Sequence, residues 1–252
     1  LAAVGQGTTA PTGSTVASLF SSSFSDPDGN SLAGVVLTAN TATAAQGSWQ
    51  WLNGSVWTAI NTNLSNTSGL FLAAATSLRF LPAANFSGTP GSLTARLVDN
   101  SSASPFSNGS PVNAATNGGQ TSFSAAAVVL TTRVNDAPTT LSDGAILAAV
   151  PEDTTAPTGS TVASLFGSTF KDLNNNSLAG VVLTANAASP SQGSWQWSTG
   201  SAWTNINTNL SDSSGLFLAA TTSLRFLPAT NYNGTPGGLT ARLVDNSSAS
   251  PF

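Results

Sequence analysis

The chain has 252 residues, of which only 6% are charged, with a formal net charge of -4 and no Cys, Met or His. One lysine (Lys171) and five arginines cannot assemble the basic patch that nucleic acid needs. The absence of cysteine removes disulfides and thiolate metal sites. No run of about 18 apolar residues marks a membrane span. The length accommodates two domains of ordinary size. Neither a signal peptide nor an initiator Met is present, which suggests an internal fragment.

In chain order, Thr15–Phe20 is short and apolar, and fits a strand or a single helical turn. Asp26-Pro-Asp-Gly-Asn30 is a turn by composition. Leu32 to Thr38 reads as a strand with Val35, Val36 and Leu37 as its β-formers. Gly47-Ser-Trp-Gln-Trp51 alternates with period two, and Asn53-Gly54 predicts a tight hairpin returning through Val56–Ile60. Gly69–Leu72, Ser77–Leu81 and Leu93–Val98 are three further strand-like runs. Residues 101–121, rich in Ser, Asn, Gly and Pro, predict a surface excursion. Ser122–Arg133 is the last long strand-like segment. Frequent turns, seven or eight short strands and no amphipathic helix predict an all-β sandwich of immunoglobulin-like size.

The whole pattern then repeats. Leu1-Ala-Ala-Val4 recurs as Leu147-Ala-Ala-Val150, Trp49, Trp51 and Trp57 as Trp195, Trp197 and Trp203, and Leu78–Pro82 as Leu224–Pro228. This sets two domains, 1–136 and 137–252. Such closeness favours copies in a homogeneous array over two domains with separate roles. The second copy reaches Pro251-Phe252, aligned with Pro105-Phe106, so it lacks a counterpart of Ser122–Arg133. An unfinished sandwich would leave an unpaired strand edge. Continuation of the parent chain is the preferred remedy, and a strand from a neighbouring molecule the other.

The few charges gather around the join. Asn135 and Asp136 precede Pro138, Glu152 and Asp153 open the second copy, and Asp172-Leu-Asn-Asn-Asn176 follows. Alternating oxygen donors of this kind suit a hard cation such as calcium. The expectation is a calcium-rigidified hinge between two sandwiches, set against ordinary turn chemistry of Asp and Asn beside Gly and Pro.

Leu78–Thr89 followed by Leu93–Asp99, with Asp26-Pro-Asp-Gly29 and Asn135-Asp-Ala-Pro138, resembles the bacterial cadherin-like repeats of large RTX-type surface adhesins. The resemblance implies tandem Greek-key sandwiches that bind calcium, outside the cell at the bacterial surface. By position it implies a metal site at the join from Asn135, Asp136, Glu152 or Asp153, Asp172 and Asn174, with Asp245 as a further carboxylate. The matching site of the first copy would use Asp26, Asp28 and Asp99. Two departures stand out: Gly5-Gln-Gly7 replaces Pro151-Glu-Asp153, and Asn174 replaces Asp28.

Trp49 and Trp51, with Trp195 and Trp197, are candidates for stacking on surface glycans, although the core is the preferred place for such rings. Arg79, Arg96, Arg225 and Arg242 are expected to pair with nearby acids. Asn-x-Ser/Thr triplets are too common in this composition to signify glycosylation. Without His or Cys, catalysis is not expected. Three functional expectations follow: extender repeats of an adhesin, a self-assembling surface filament or sheath made of further copies, and a carbohydrate-binding module.

Overall fold

In the computed structural model, residues 1–102, 106–142, 144–200 and 202–247 are described; residues 103–105 of the long loop and Pro251-Phe252 lie outside them. The chain divides into two compact units, Leu1–Asp136 and Ala137–Phe252. Both are built almost entirely of antiparallel β-sheet.

The first unit opens with β1 (Val4–Gly5), β2 (Ser14–Thr15) and α1 (Val16–Phe20). Thr15 caps α1 by accepting from the Ser18 amide, and the i, i+4 pair Val16 and Phe20 is buried. The Val16–Phe20 run is therefore a helical turn. β3 (Leu32–Asn40), β4 (Gly47–Asn53), β5 (Val56–Ala59), β6 (Gly69–Ala73), β7 (Ser77–Pro82), β8 (Leu93–Asp99), β9 (Pro111–Val112), β10 (Phe123–Leu130) and β11 (Val134–Asn135) complete the unit. One sheet runs β10-β8-β3-β6-β9, the other β2-β7-β4-β5, and β1 pairs in parallel with β11. The Asn53-Gly54 hairpin forms in the expected register, with Asn53 opposite Val56.

The core lies between the two sheets. Val35, Leu37, Leu72, Leu93, Ala95 and Leu97 come from one, and Trp49, Trp51, Leu78 and Phe80 from the other. Period-two alternation sends these side chains inward. At Gly34 the β6 backbone passes so close that a Cβ would sit 2.3 Å from the Leu72 carbonyl, and Gly180 meets Leu218 in the same way. The 101–121 segment differs from expectation. Its described part folds over the outer face of the five-stranded sheet, where Phe106, Val112 and Ala114 pack with Val36, Phe71, Val98 and Phe123. The physical reason is that Val35-Val36-Leu37 is apolar at both parities, so both faces of β3 need cover.

The second unit has β12 (Thr139–Thr140), β13 (Ser160–Thr161), α2 (Val162–Phe166), β14 (Phe170–Lys171), β15 (Leu178–Asn186), β16 (Gly193–Ser198), β17 (Thr204–Asn205), β18 (Leu216–Ala219), β19 (Ser223–Pro228) and β20 (Leu239–Asp245). Its sheets run β18-β15-β20 and β13-β19-β16-β17, with β12 pairing β14. Val181, Leu183, Leu218, Leu224 and Ile206 form its core. Among the described residues, β20 has one strand neighbour where β8 has two.

Candidate functional site

The acidic turn before β3 is held by its own first residue. The Asp26 carboxylate accepts from the backbone N–H of Asp28 (2.9 Å) and Asn30 (3.1 Å), and Gly29 takes φ +76°. In the second unit the Asp172 carboxylate accepts from the Asn176 amide (2.9 Å), and Asn175 occupies the same left-handed position at φ +59°. Asn is among the few non-glycine residues that enter this region readily.

Sheet register brings the partner carboxylates to these turns. Leu32 lies opposite Asp99 and Leu178 opposite Asp245, so each turn adjoins the last residue of β8 or β20. Asp99 Oδ1 accepts from Ser101 N–H and Asp245 Oδ1 from Ser247 N–H, matching Asx turns. In the first unit, Asp26, Asp28, Asn30 and Asp99 line one cleft of about 460 Å³. In the second, Asp245 is buried at 7% exposure, and Asp172 Oδ2 is enclosed with no hydrogen-bond donor among the described residues. An enclosed carboxylate oxygen without a donor is costly unless a cation or water meets it. A carboxylate oxygen is a donor type that a hard cation accepts. Among the described residues, no three acidic or His side chains converge as a ready-made metal cluster.

Within each unit, the other predicted ligands lie away from that unit's own acidic turn. Asn135 is on β11, where Val134 exchanges backbone bonds with Gly88, and Leu130 of β10 sits opposite Leu93. Asn135 and Asp136 thus leave the first unit at the end where β8 begins, away from Asp26, Asp28 and Asp99. Glu152 and Asp153 are also separated from Asp172 and Asp245. Glu152 lines a cavity with Gly238, just before β20 begins, and Asp153 Oδ1 accepts from the Asn231 amide at 2.8 Å. Seven residues of strand, roughly 20 Å at ~3.3 Å per residue, lie between that end and Asp245. The grouping of Glu152 or Asp153 with Asp172, Asn174 and Asp245 is therefore corrected: the two sets occupy opposite ends of one unit. Asp153 stands at φ +61° where the first unit has Gly7 at φ +73°, and its side chain fastens a turn.

The chain enters the second unit beside Asp172. Thr139 lies opposite Lys171, and its hydroxyl donates to the Lys171 carbonyl. The residues that follow Asn135-Asp136 in sequence are thus paired to the strand that leads into the acidic turn.

Trp49 and Trp51 belong to the core of the first unit. Trp49 has no exposure, meets Phe80 edge-on at 5.2 Å and donates from Nε1 to the Gly91 carbonyl (2.8 Å); Trp51 is 6% exposed. Neither offers a ring face to a sugar, which corrects that candidate role. Trp195 repeats the arrangement with Phe226 and the Gly237 carbonyl, and both Trp195 and Trp197 are half-buried. Among the described residues, the arginine expectation holds for Arg242, whose Nε donates to Asp212 at 2.8 Å. Arg79 and Arg225 instead lie over Trp57 and Trp203, 4.2 and 4.1 Å from the ring centroids, and donate to Gln50 and Gln196. Desolvation lowers both guanidinium pKa values from their ordinary range. Arg96 donates to Asn66 and to the carbonyls of Ser124 and Ala125 on β10.

These features define a class: a tandem pair of β-sandwich units with an acidic turn at one end of each. No family model, curated protein or solved structure matches the chain. Among the described residues, no helix is long and apolar enough to cross a membrane.

Proposed function

We propose that the chain is a stretch of tandem, immunoglobulin-like sandwich repeats that serve as structural extenders in a bacterial surface adhesin, with calcium stiffening the junctions. The observation that carries the reading is Asp172 Oδ2, enclosed and with no hydrogen-bond donor among the described residues, in the turn that leads into β15, whose first residue lies opposite buried Asp245. Asp172, Asn174 and Asp245 would hold the ion there, and Asp26, Asp28 and Asp99 would do so in the first unit. Calcium supplies positive charge to oxygens that otherwise repel one another. The repetition of one core, with the same inward-facing tryptophans and leucines, supports a mechanical role over two divergent recognition surfaces.

Extracellular modules of this kind bind calcium with Kd of about 0.1–1 mM. At ~10 mM ion the linkage contribution is roughly 1.4–2.7 kcal/mol, a useful share of a domain's ~5–15 kcal/mol. Calorimetry of the full chain in calcium and in chelator tests this. The expected result is that calcium raises the melting of both units, and that Asp172→Asn removes the response of the second unit alone. An identical melting profile in the two conditions overturns the calcium reading.

A further inference from the structure

We propose that Asn53 is a site of spontaneous covalent modification: its side-chain amide is lost through attack by the Gly54 nitrogen, and the change releases β5. Cys and Met are absent from the chain, so the most readily oxidised side chains are missing and asparagine is left as its soft point. Asparagine followed by glycine is the pair most open to this reaction, because no Cβ on the second residue hinders the attacking nitrogen.

The first unit has three such pairs, Asn53-Gly54, Asn108-Gly109 and Asn117-Gly118, and hydrogen bonding sets them apart. Asn108 Oδ1 accepts from the Ala73 amide (2.9 Å) and the Thr76 hydroxyl (2.8 Å), while the Gly109 amide donates to the Phe71 carbonyl (2.8 Å). Asn117 Nδ2 donates to the Ala114 and Ala115 carbonyls, and the Gly118 amide to the Phe123 carbonyl at 2.8 Å. In both pairs the side chain is fastened and the nucleophile engaged, so reaction waits for local opening. Asn53 and Gly54 are instead exposed at the tip of the β4–β5 hairpin. Among the described residues, neither the Asn53 side chain nor the Gly54 amide has a hydrogen-bond partner. Gly54 stands at φ +62° with nothing within 4 Å of the place a Cβ would take.

The step balances with water alone. The Gly54 nitrogen bonds to Asn53 Cγ, the Cγ–Nδ2 bond breaks, and ammonia leaves with the amide proton. Water then opens the resulting succinimide at either carbonyl, giving an aspartyl or an isoaspartyl residue and one added negative charge. The isoaspartyl form routes the main chain through the side-chain carbons, lengthening the backbone by a methylene at the last residue of β4. The mismatch falls on β5, an edge strand paired to β4, which carries the Trp57 ring beneath Arg79. In the second unit Thr199-Gly200 takes this place, and threonine has no acyl carbon to attack.

The test ages the 252-residue protein, folded and in urea, at mildly alkaline pH. Brief tryptic digestion at mildly acidic pH, where succinimide formation is slow, is followed by mass spectrometry. Cleavage after Arg79, Arg96 and Arg133 puts Asn53 in peptide 1–79 and both Asn108 and Asn117 in peptide 97–133. The three convert at similar rates in urea, whereas in the folded chain Asn53 converts at least roughly tenfold faster than the other two. Amide exchange of Val56–Ala59 then speeds up in the aged protein but not in Asn53→Thr aged alongside it. Conversion of Asn53 no faster than that of Asn108 or Asn117 in the folded chain overturns the proposal. Full conversion with Val56–Ala59 still protected overturns the release of β5.

Discussion

Leu93, Ala95 and Leu97 are buried in the first unit, while the same residue types at Leu239, Ala241 and Leu243 are half-exposed in the second. Trp51 and Trp197 differ in the same sense. The local sequences are nearly identical, so burial here is a property of the neighbouring strand. β10 and β11 cover one side of the first sandwich, and Leu130 and Val134 close its core. The contrast separates what a strand's own residues supply, an inward apolar face, from what only its partner supplies, the exclusion of water.

The largest expected effect falls on matched truncations of that face. Leu97→Ala costs about 2–5 kcal/mol because it leaves a cavity in a closed core. Leu243→Ala costs less than half as much, since water already reaches its side chain. Denaturant unfolding followed by unit-specific exchange measures both, and equal losses break the comparison.

Next come the arginines. Arg96→Ala removes charged donors from three acceptors and costs about 1.5–3 kcal/mol. Arg242→Ala removes one exposed ion pair and leaves stability within error, as surface pairs generally do. A loss in Arg242→Ala matching that in Arg96→Ala would show that β10 does not depend on the Arg96 fork.

Exchange of the turn residues is smaller. Asn175→Gly stabilises the second unit and Gly29→Asn destabilises the first, each by up to about 1 kcal/mol, because both positions are left-handed. Thermal melts of the two variants should shift in opposite directions.

The smallest effect is a pH response. The Arg242 hydrogen bond and charge lower the Asp212 pKa below its ordinary value. A depressed carboxylate contributes stability that is present above its unfolded pKa and fades as pH falls through its folded one. The second unit should therefore lose a slight increment below pH ~4 that Asp212→Asn abolishes. The first unit has neutral Asn66 at this place and lacks that increment.

Much of this architecture could be read from residues. Alternation in Gly47–Trp51, the Asn53-Gly54 turn and the repeat itself carry the sandwich and its duplication, because period and turn chemistry act locally. The cover over β3 was legible too, in the apolar Val36 between inward Val35 and Leu37, yet the polar 101–121 segment reads as solvent-facing. The candidate site was half legible. Asp26-Pro-Asp-Gly29 and Asp99 announce turns, and antiparallel register joins them. Spacing gives no hint that Glu152 and Asp153 lie a strand's length from Asp245, since that depends on strand direction. Nor does it show Arg79 settling on Trp57, where a ring face replaces the expected carboxylate.

The most direct measurement is residue-resolved amide hydrogen exchange on the unliganded chain, comparing Leu97 on β8 with Leu243 on β20. Leu97 donates to Ser124 Oγ at 3.0 Å in a covered sheet, so its exchange should approach the global unfolding limit of its unit. Leu243 should exchange orders of magnitude faster, while amides of β20 bonded to β15 stay protected. Equal protection at Leu97 and Leu243 would contradict the claim that the neighbouring β10, and not the local sequence, shields β8.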